Sequence, residues 1–165
     1  MSPEAEIYNK FIREVKLRSI LLSGIKFDRK DEYFDLVEDA SDKLKNAIGY
    51  KTAFNPVETE DRGDDFTDDI LALVDWSLDI KAGNKKLLSI NVTYDILYSH
   101  VIDLEEEDGH VISRFAREVI RTTSFPYFRE YVNRISNDSQ LNIPPLPMFI
   151  LPPVRENQAK GVDES

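Results

Sequence analysis

His100 and His110 are the only imidazoles in this chain, and cysteine is absent. A metal centre needs three or four nitrogen, sulfur or carboxylate ligands at suitable spacing. Two histidines ten positions apart, with no companion motif, read instead as boundary or surface residues. Ser99 precedes His100, yet no third partner stands at a spacing known to complete a triad. The segment Glu58–Asp69, ETEDRGDDFTDD, gathers carboxylates around Gly63. It lacks the alternating oxygen ligands and closing glutamate of a calcium loop, so it reads as a solvated acidic loop. No glycine-rich phosphate loop or nucleophile elbow occurs. Asn91-Val92-Thr93 spells a glycosylation sequon, but it falls inside an expected strand. The N-terminal residues MSPEAEIYNKF also lack the basic lead and apolar centre of a secretion signal. No catalytic set and no cofactor site emerge from these residues.

The remaining chemistry is that of apolar contact. Ser124 to Val154 reads SFPYFREYVNRISNDSQLNIPPLPMFILPPV. It opens on Phe125-Pro126-Tyr127, continues with Phe128, Tyr131, Val132 and Ile135 at helical spacing, and breaks at Ser136–Gln140. Pro144, Pro145, Pro147, Pro152 and Pro153 then exclude helix and central strand, so the segment must run extended. That ribbon carries Ile143, Leu146, Met148, Phe149, Ile150 and Leu151 and needs an apolar surface to lie on. Phe125, Tyr127, Phe128 and Tyr131 cover more than the one stripe a short helix can bury, so some of them should face a second surface.

The elements that position these residues can be read in order. Glu4–Glu14 predicts a helix with Ile7 and Phe11 on one face. Lys16–Phe27 predicts a strand with a bulge or bend at Gly24. In Asp31–Ile48, Phe34, Val37, Leu44 and Ile48 predict a helix ended by Gly49. Tyr50–Thr59 predicts a second strand, confined to an edge where Pro56 stands. The clearest pattern follows. Ile70, Ala72, Val74, Trp76, Leu78 and Ile80 alternate with polar residues, and Ala82-Gly83-Asn84 makes a tight turn. Leu88, Ile90, Val92, Tyr94, Ile96 and Tyr98 then alternate again. This is a long antiparallel hairpin with one apolar and one wet face. Asp103–Gly109 is an acidic turn before a helix over His110–Thr123, with Ile112, Phe115, Ala116, Val119 and Ile120 on one stripe. Pro126 should interrupt that helix, with Ser124 capping the one that restarts. The outline is α+β: a four-stranded antiparallel sheet with a long helix and a second short helix on one face.

With 165 residues the chain can bury one sizeable core. Its net charge of −10 disfavours nucleic acid or an anionic membrane surface as partner. No apolar run reaches the ~18 residues of a membrane helix, so the cytoplasm is the expected compartment.

Phe125-Pro126-Tyr127, then Arg129-Glu130, a helix, a break, Pro145-Leu146 and Leu151-Pro152-Pro153-Val154 resemble the C-terminal half of SecB, the bacterial protein-export chaperone. The hairpin Ile70–Tyr98 and the following helix resemble its third and fourth strands and long helix. The resemblance spans roughly Asp69 to Val154. It implies a homotetramer, a dimer of dimers, that holds non-native polypeptides in apolar grooves without ATP or metal. Two departures bear on the export motor SecA. Asn91 stands where the family docks the motor through an acidic residue, and Ser89 replaces an apolar neighbour. The region 31–69 is longer than in SecB, and some relatives serve as chaperones of antitoxins.

These readings give one SecB-like domain over 1–154, with an extra helical insert at 31–48, and a flexible polar tail at 155–165. The expected function is an ATP-independent holdase for unfolded polypeptides; the alternative is a dedicated antitoxin chaperone or single-partner adaptor. The expected groove comprises Tyr50, Phe54, Phe125, Tyr127, Phe128, Tyr131, Met148, Phe149 and Leu151. Val111, Ile112, Phe115 and Val119 are expected to pack on the sheet with one face and to make tetramer contacts with the other.

Overall fold

The computed structural model describes residues 3–57, 68–101, 104 and 108–148. The loop at 58–67, most of the acidic turn at 103–107, Phe149, Leu151 and the tail at 155–165 lie outside the described residues.

Helix α1 (Pro3–Glu14) leads into strand β1 (Lys16–Arg29). Helix α2 (Glu32–Asp39) and a single 3-10 turn (Ser41–Lys43) connect β1 to β2 (Leu44–Val57). Strands β3 (Asp68–Ala82) and β4 (Lys85–His100) follow. A continuous helical run comes next: α3 (Gly109–Phe115), a π turn (Ala116–Ile120) and α4 (Arg121–Asp138). The four strands form one antiparallel sheet in the order β1-β4-β3-β2, so β1 and β2 are its edges. The edge position of β2 accommodates Pro56.

The hairpin follows from its alternation. Every apolar residue of the two series is buried, from Ile70 to Ile80 and from Leu88 to Tyr98. Gly83 takes φ 57 at the turn, a value that a residue without Cβ adopts freely. Register shifts in β1 lie between Leu17 and Ser19 and between Leu22 and Gly24, so Gly24 marks a bulge.

Two expectations about helices need correction. The helix expected over Asp31–Ile48 ends at Asp39, and Leu44 and Ile48 belong to β2. Gly49 is therefore a strand residue. The Ser77 hydroxyl on the neighbouring strand occupies the place a Cβ would take, which explains glycine there. Pro126 does not interrupt the last helix. The helical run passes through it, and the irregularity is the π turn upstream. Ser124 is accordingly no cap. Its hydroxyl donates to the Ile120 carbonyl at 2.7 Å and accepts the Trp76 indole N–H at 2.9 Å. Packing decides the outcome: Phe125 and Phe128, either side of Pro126, close over Trp76 at ring distances of 5.1 and 5.5 Å. Tertiary contacts of this size override one unfavourable residue.

The sheet face opposite the helices is mixed rather than uniformly wet. Leu71, Leu73 and Leu97 are half-buried there, and Leu21 is exposed. Four aspartates on the same face each accept a hydroxyl. Ser89 donates to Asp79 (2.7 Å), Thr93 to Asp75 (2.6 Å), Ser23 to Asp95 (2.8 Å) and Ser99 to Asp69.

Candidate functional site

The helical run sits over β3 and β4, where α4 makes its sheet contacts. It leaves the same face of both edge strands incompletely covered. On β2, alternation directs Leu44, Ile48, Tyr50, Thr52 and Phe54 toward the helices, opposite Ala82, Leu78, Trp76, Val74 and Ala72. All five remain half-buried. On β1, Leu17, Leu22, Ile25 and Phe27 pair with Tyr98, Tyr94, Val92 and Ile90, which puts them on the core face. Yet they are 44%, 45%, 50% and 40% exposed. The molecule thus has a central helical ridge with an apolar trough along each flank. Sequence reasoning missed the β1 trough, because an apolar strand reads as buried until the width of its cover is known.

The β2 trough leads to α2 and the chain after α4. Gln140 and Asn142 both take φ 52 in the left-handed region and turn the chain back at the end of α4. Leu141 is buried, and its carbonyl accepts the Tyr33 hydroxyl at 2.7 Å. Ser136 Oγ accepts the Ile143 N–H at 3.0 Å. The ribbon so fixed bounds two hollows that share Asn142 and Pro144. One, of about 230 Å³, lies between α2 and Leu44 and Ile80; the other, of about 740 Å³, lies between Phe34, Glu38 and the end of α4.

The expected groove residues separate clearly. Tyr50 and Phe54 line the β2 trough, and Tyr131 is half-buried. Tyr127 and Met148 are 50% and 63% exposed, with the Tyr127 ring 6.4 Å from that of Tyr94. Phe125 and Phe128 do not line a groove in this chain. At 2% and 0% exposure they are core, because Trp76 claims the face of α4 that carries them. Among the residues expected at subunit contacts, Val111 and Phe115 are fully buried under the sheet and α1, with Phe115 packed on Phe11 and Tyr98. Ile112 and Val119 are half-buried and keep a free face.

The candidate chemical residues take structural places. His100 is buried with its ring against Phe11, and His110 is exposed. The sheet register brings Asp69 to Ser99, but that hydroxyl is already engaged. It donates to Asp69 and accepts from Arg18 Nε at 2.9 Å. Among the described residues no three His, Asp or Glu side chains gather as a metal-binding group. Asn91 and Ser89 lie on the outer face, where Asn91 donates to Ser89 at 3.2 Å and Ser89 to Asp79. Burial alone would raise the Asp79 carboxyl. The Lys86 ammonium at 2.8 Å and the Ser89 hydroxyl outweigh it and hold the group below the ordinary aspartate range. No helix among the described residues is long and apolar enough to cross a membrane.

The sequence matches no family model and no curated protein. Among solved structures it is similar to a SecB-like chaperone of Mycobacterium tuberculosis in complex with an antitoxin peptide. That likeness has a TM-score of 0.61 and 17% identity, and it covers 91% of this chain and all of the other. The fold is SecB-like. A protein of unknown function from Streptococcus agalactiae also aligns, with a TM-score of 0.42 and 8% identity over 83% of this chain and 98% of the other. The likeness to the Mycobacterium chaperone covers more of the chain than the stretch Asp69–Val154 that carried the sequence resemblance.

Proposed function

We propose that this protein is a chaperone without enzymatic activity that holds an extended apolar segment of one dedicated partner, of the antitoxin class. The observation that carries this reading is the half-open row Leu44, Ile48, Tyr50 and Phe54 on an edge strand. An edge strand offers unpaired backbone groups to an incoming extended chain, and the side chains beside it bury alternate residues of that chain. The Mycobacterium neighbour, bound to an antitoxin peptide, supports the partner class. A broad holdase for unfolded polypeptides is the second reading, favoured by exposed Tyr127 and Met148. Many apolar contacts at about 25 cal/mol per Å² give affinity without sequence selectivity. A link to export through SecA would need an acidic dock where Asn91 stands. ATP and metal have no part in either reading, and the cytoplasm is the proposed compartment.

Self-association completes the proposal. β1 is a free edge with four exposed apolar residues on its core face. Antiparallel pairing with a second copy would cover both, and two such dimers would give the expected tetramer through Ile112 and Val119. The partner reading is tested by competition. A labelled antitoxin segment is displaced from the protein by unrelated unfolded proteins only if the protein is a general holdase. Resistance to them, with displacement by the unlabelled antitoxin segment, supports the dedicated role. Failure of every antitoxin segment to bind overturns it.

A further inference from the structure

Three buried side-chain polar atoms among the described residues have no hydrogen-bond partner: Thr52 Oγ1, Tyr98 Oη and Arg121 Nε. Such atoms are rare, and each costs the free protein its desolvation unless something fills the gap. Each is a neighbour of Tyr50, whose hydroxyl reaches from β2 to the π turn. There the Ala116 carbonyl accepts both the Tyr50 hydroxyl at 2.9 Å and the Arg121 backbone N–H. Thr52 stands two residues from Tyr50 on the same face of β2. Tyr98 packs on Phe115, the residue before Ala116, at a ring distance of 5.0 Å. π turns recur at functional sites, and here the turn sets Arg121 beside Tyr50.

The electrostatics agree with that grouping. Burial raises the Tyr98 hydroxyl pKa, and the neighbouring Tyr50 adds to it. Burial also raises that of Tyr50, whereas the Thr52 hydroxyl and the Arg121 charge pull it down. Thr52 therefore lies close to Tyr50 without making a well-formed bond. Arg121 itself forms none of the ion pairs among the described residues. Arg121 is half-buried, and its Nε has no hydrogen-bond partner. Three unmet donors, one of them cationic, fit an oxyanion with several lone pairs.

We propose that Thr52, Tyr98 and Arg121, with Tyr50, form a pocket that receives a carboxylate of the segment bound along β2. This rests on the reading of the β2 trough as a peptide groove. The carboxylate comes from an acidic side chain or from a free C-terminus. The chain's net negative charge repels acidic segments at long range, so the Arg121 cation selects for a carboxylate set among apolar residues.

The test uses the full chain and fluorescein-labelled leucine- and phenylalanine-rich peptides. One set carries a single glutamate at successive positions with an amidated C-terminus, and glutamine peptides serve as its counterparts. A second pair compares free and amidated C-termini. Binding should strengthen about tenfold for at least one glutamate position or for the free C-terminus, as for one charge-assisted bond. Arg121→Gln should abolish that gain while leaving the neutral peptide's affinity unchanged, and Thr52→Val should reduce the preference for the glutamate peptide over its glutamine counterpart. Tyr98→Phe should shrink it while raising the melting temperature of the free protein, because an unsatisfied buried hydroxyl has been removed. If neutral peptides bind but no carboxylate improves on them, the pocket is overturned and the groove stands. If Tyr98→Phe raises stability without touching the glutamate preference, the cluster is structural only and the proposal falls. If no peptide binds at all, both the pocket and the groove are overturned.

Discussion

At the residue scale, the aromatic unit around Pro126 divides between stability and contact. Phe128 is fully buried in stacked geometry with Trp76, at an interplanar angle of 14°. Phe128→Ala should cost about 3–5 kcal/mol, read from urea unfolding. Tyr127→Ala should change stability by at most ~1 kcal/mol, since half of the ring is already in water, and should weaken peptide binding. A binding defect caused by an acidic residue at 128 would therefore report unfolding, whereas one at 127 reports the surface. Carboxylates set the pH response. Burial would raise Glu118, but hydrogen bonds from Arg114 (3.0 Å) and Tyr8 (3.0 Å) prevail and lower its pKa. Glu32 is lowered by its bond to Lys85, and Asp79 is lowered as described above. A lowered folded pKa contributes stability that is complete above the unfolded value. It is lost as pH falls through the folded one. The urea midpoint should thus drop below about pH 4, the ordinary carboxylate range. Glu118→Gln should flatten that drop slightly, because an exposed pair contributes at most about 1 kcal/mol.

At the scale of elements, the hairpin was legible because strict alternation over β3 and β4 admits only one half-buried strand pattern. The bulge at Gly24 and the edge position of β2 were legible for the same local reasons. The stretch 44–48 was not. Leu44 and Ile48 are four apart, a spacing that suits a helix turn and a strand face equally, and Phe34 and Val37 before them are truly helical. Pro126 misled for the opposite reason: its local penalty is real, and contacts with Trp76 override it. Of the candidate site, Tyr50, Phe54 and Tyr127 were named from residue type. The unmet donors were invisible, since no sequence pattern says which hydroxyl will lack a partner. The helix makes its own prediction. Pro126 is exposed within α4, so Pro126→Ala restores a backbone donor and relieves the ring's crowding. Melting temperature should rise, with a net gain of about 1 kcal/mol after the lost restriction of the unfolded chain is subtracted. A fall would mean that the ring makes contacts in an assembly.

At the scale of the molecule, the ridge is narrower than the sheet, and the two edges it leaves bare have different remedies. The β2 trough is partly roofed by α2 and the ribbon after Gln140, so its opening is a cleft suited to a narrow occupant such as an extended peptide. Among the described residues the β1 trough has no such roof. Leu17, Leu22, Ile25 and Phe27 form an exposed apolar shelf on an edge strand of 14 residues, the kind of edge that proteins rarely leave free. A twofold copy presents an identical shelf and an identical edge, and antiparallel pairing satisfies both at once. Covering each of the four side chains would contribute on the order of 1 kcal/mol. Placing lysines at Leu22 and Ile25 should therefore break that contact, and the mass read by light scattering should fall to about half that of the assembly. Peptide affinity for the β2 trough should survive in that variant, because Leu44, Tyr50 and Phe54 lie on the opposite edge. If the mass is unchanged while peptide binding disappears, the assignments are reversed: β1 is the groove, and the contact between copies lies along β2.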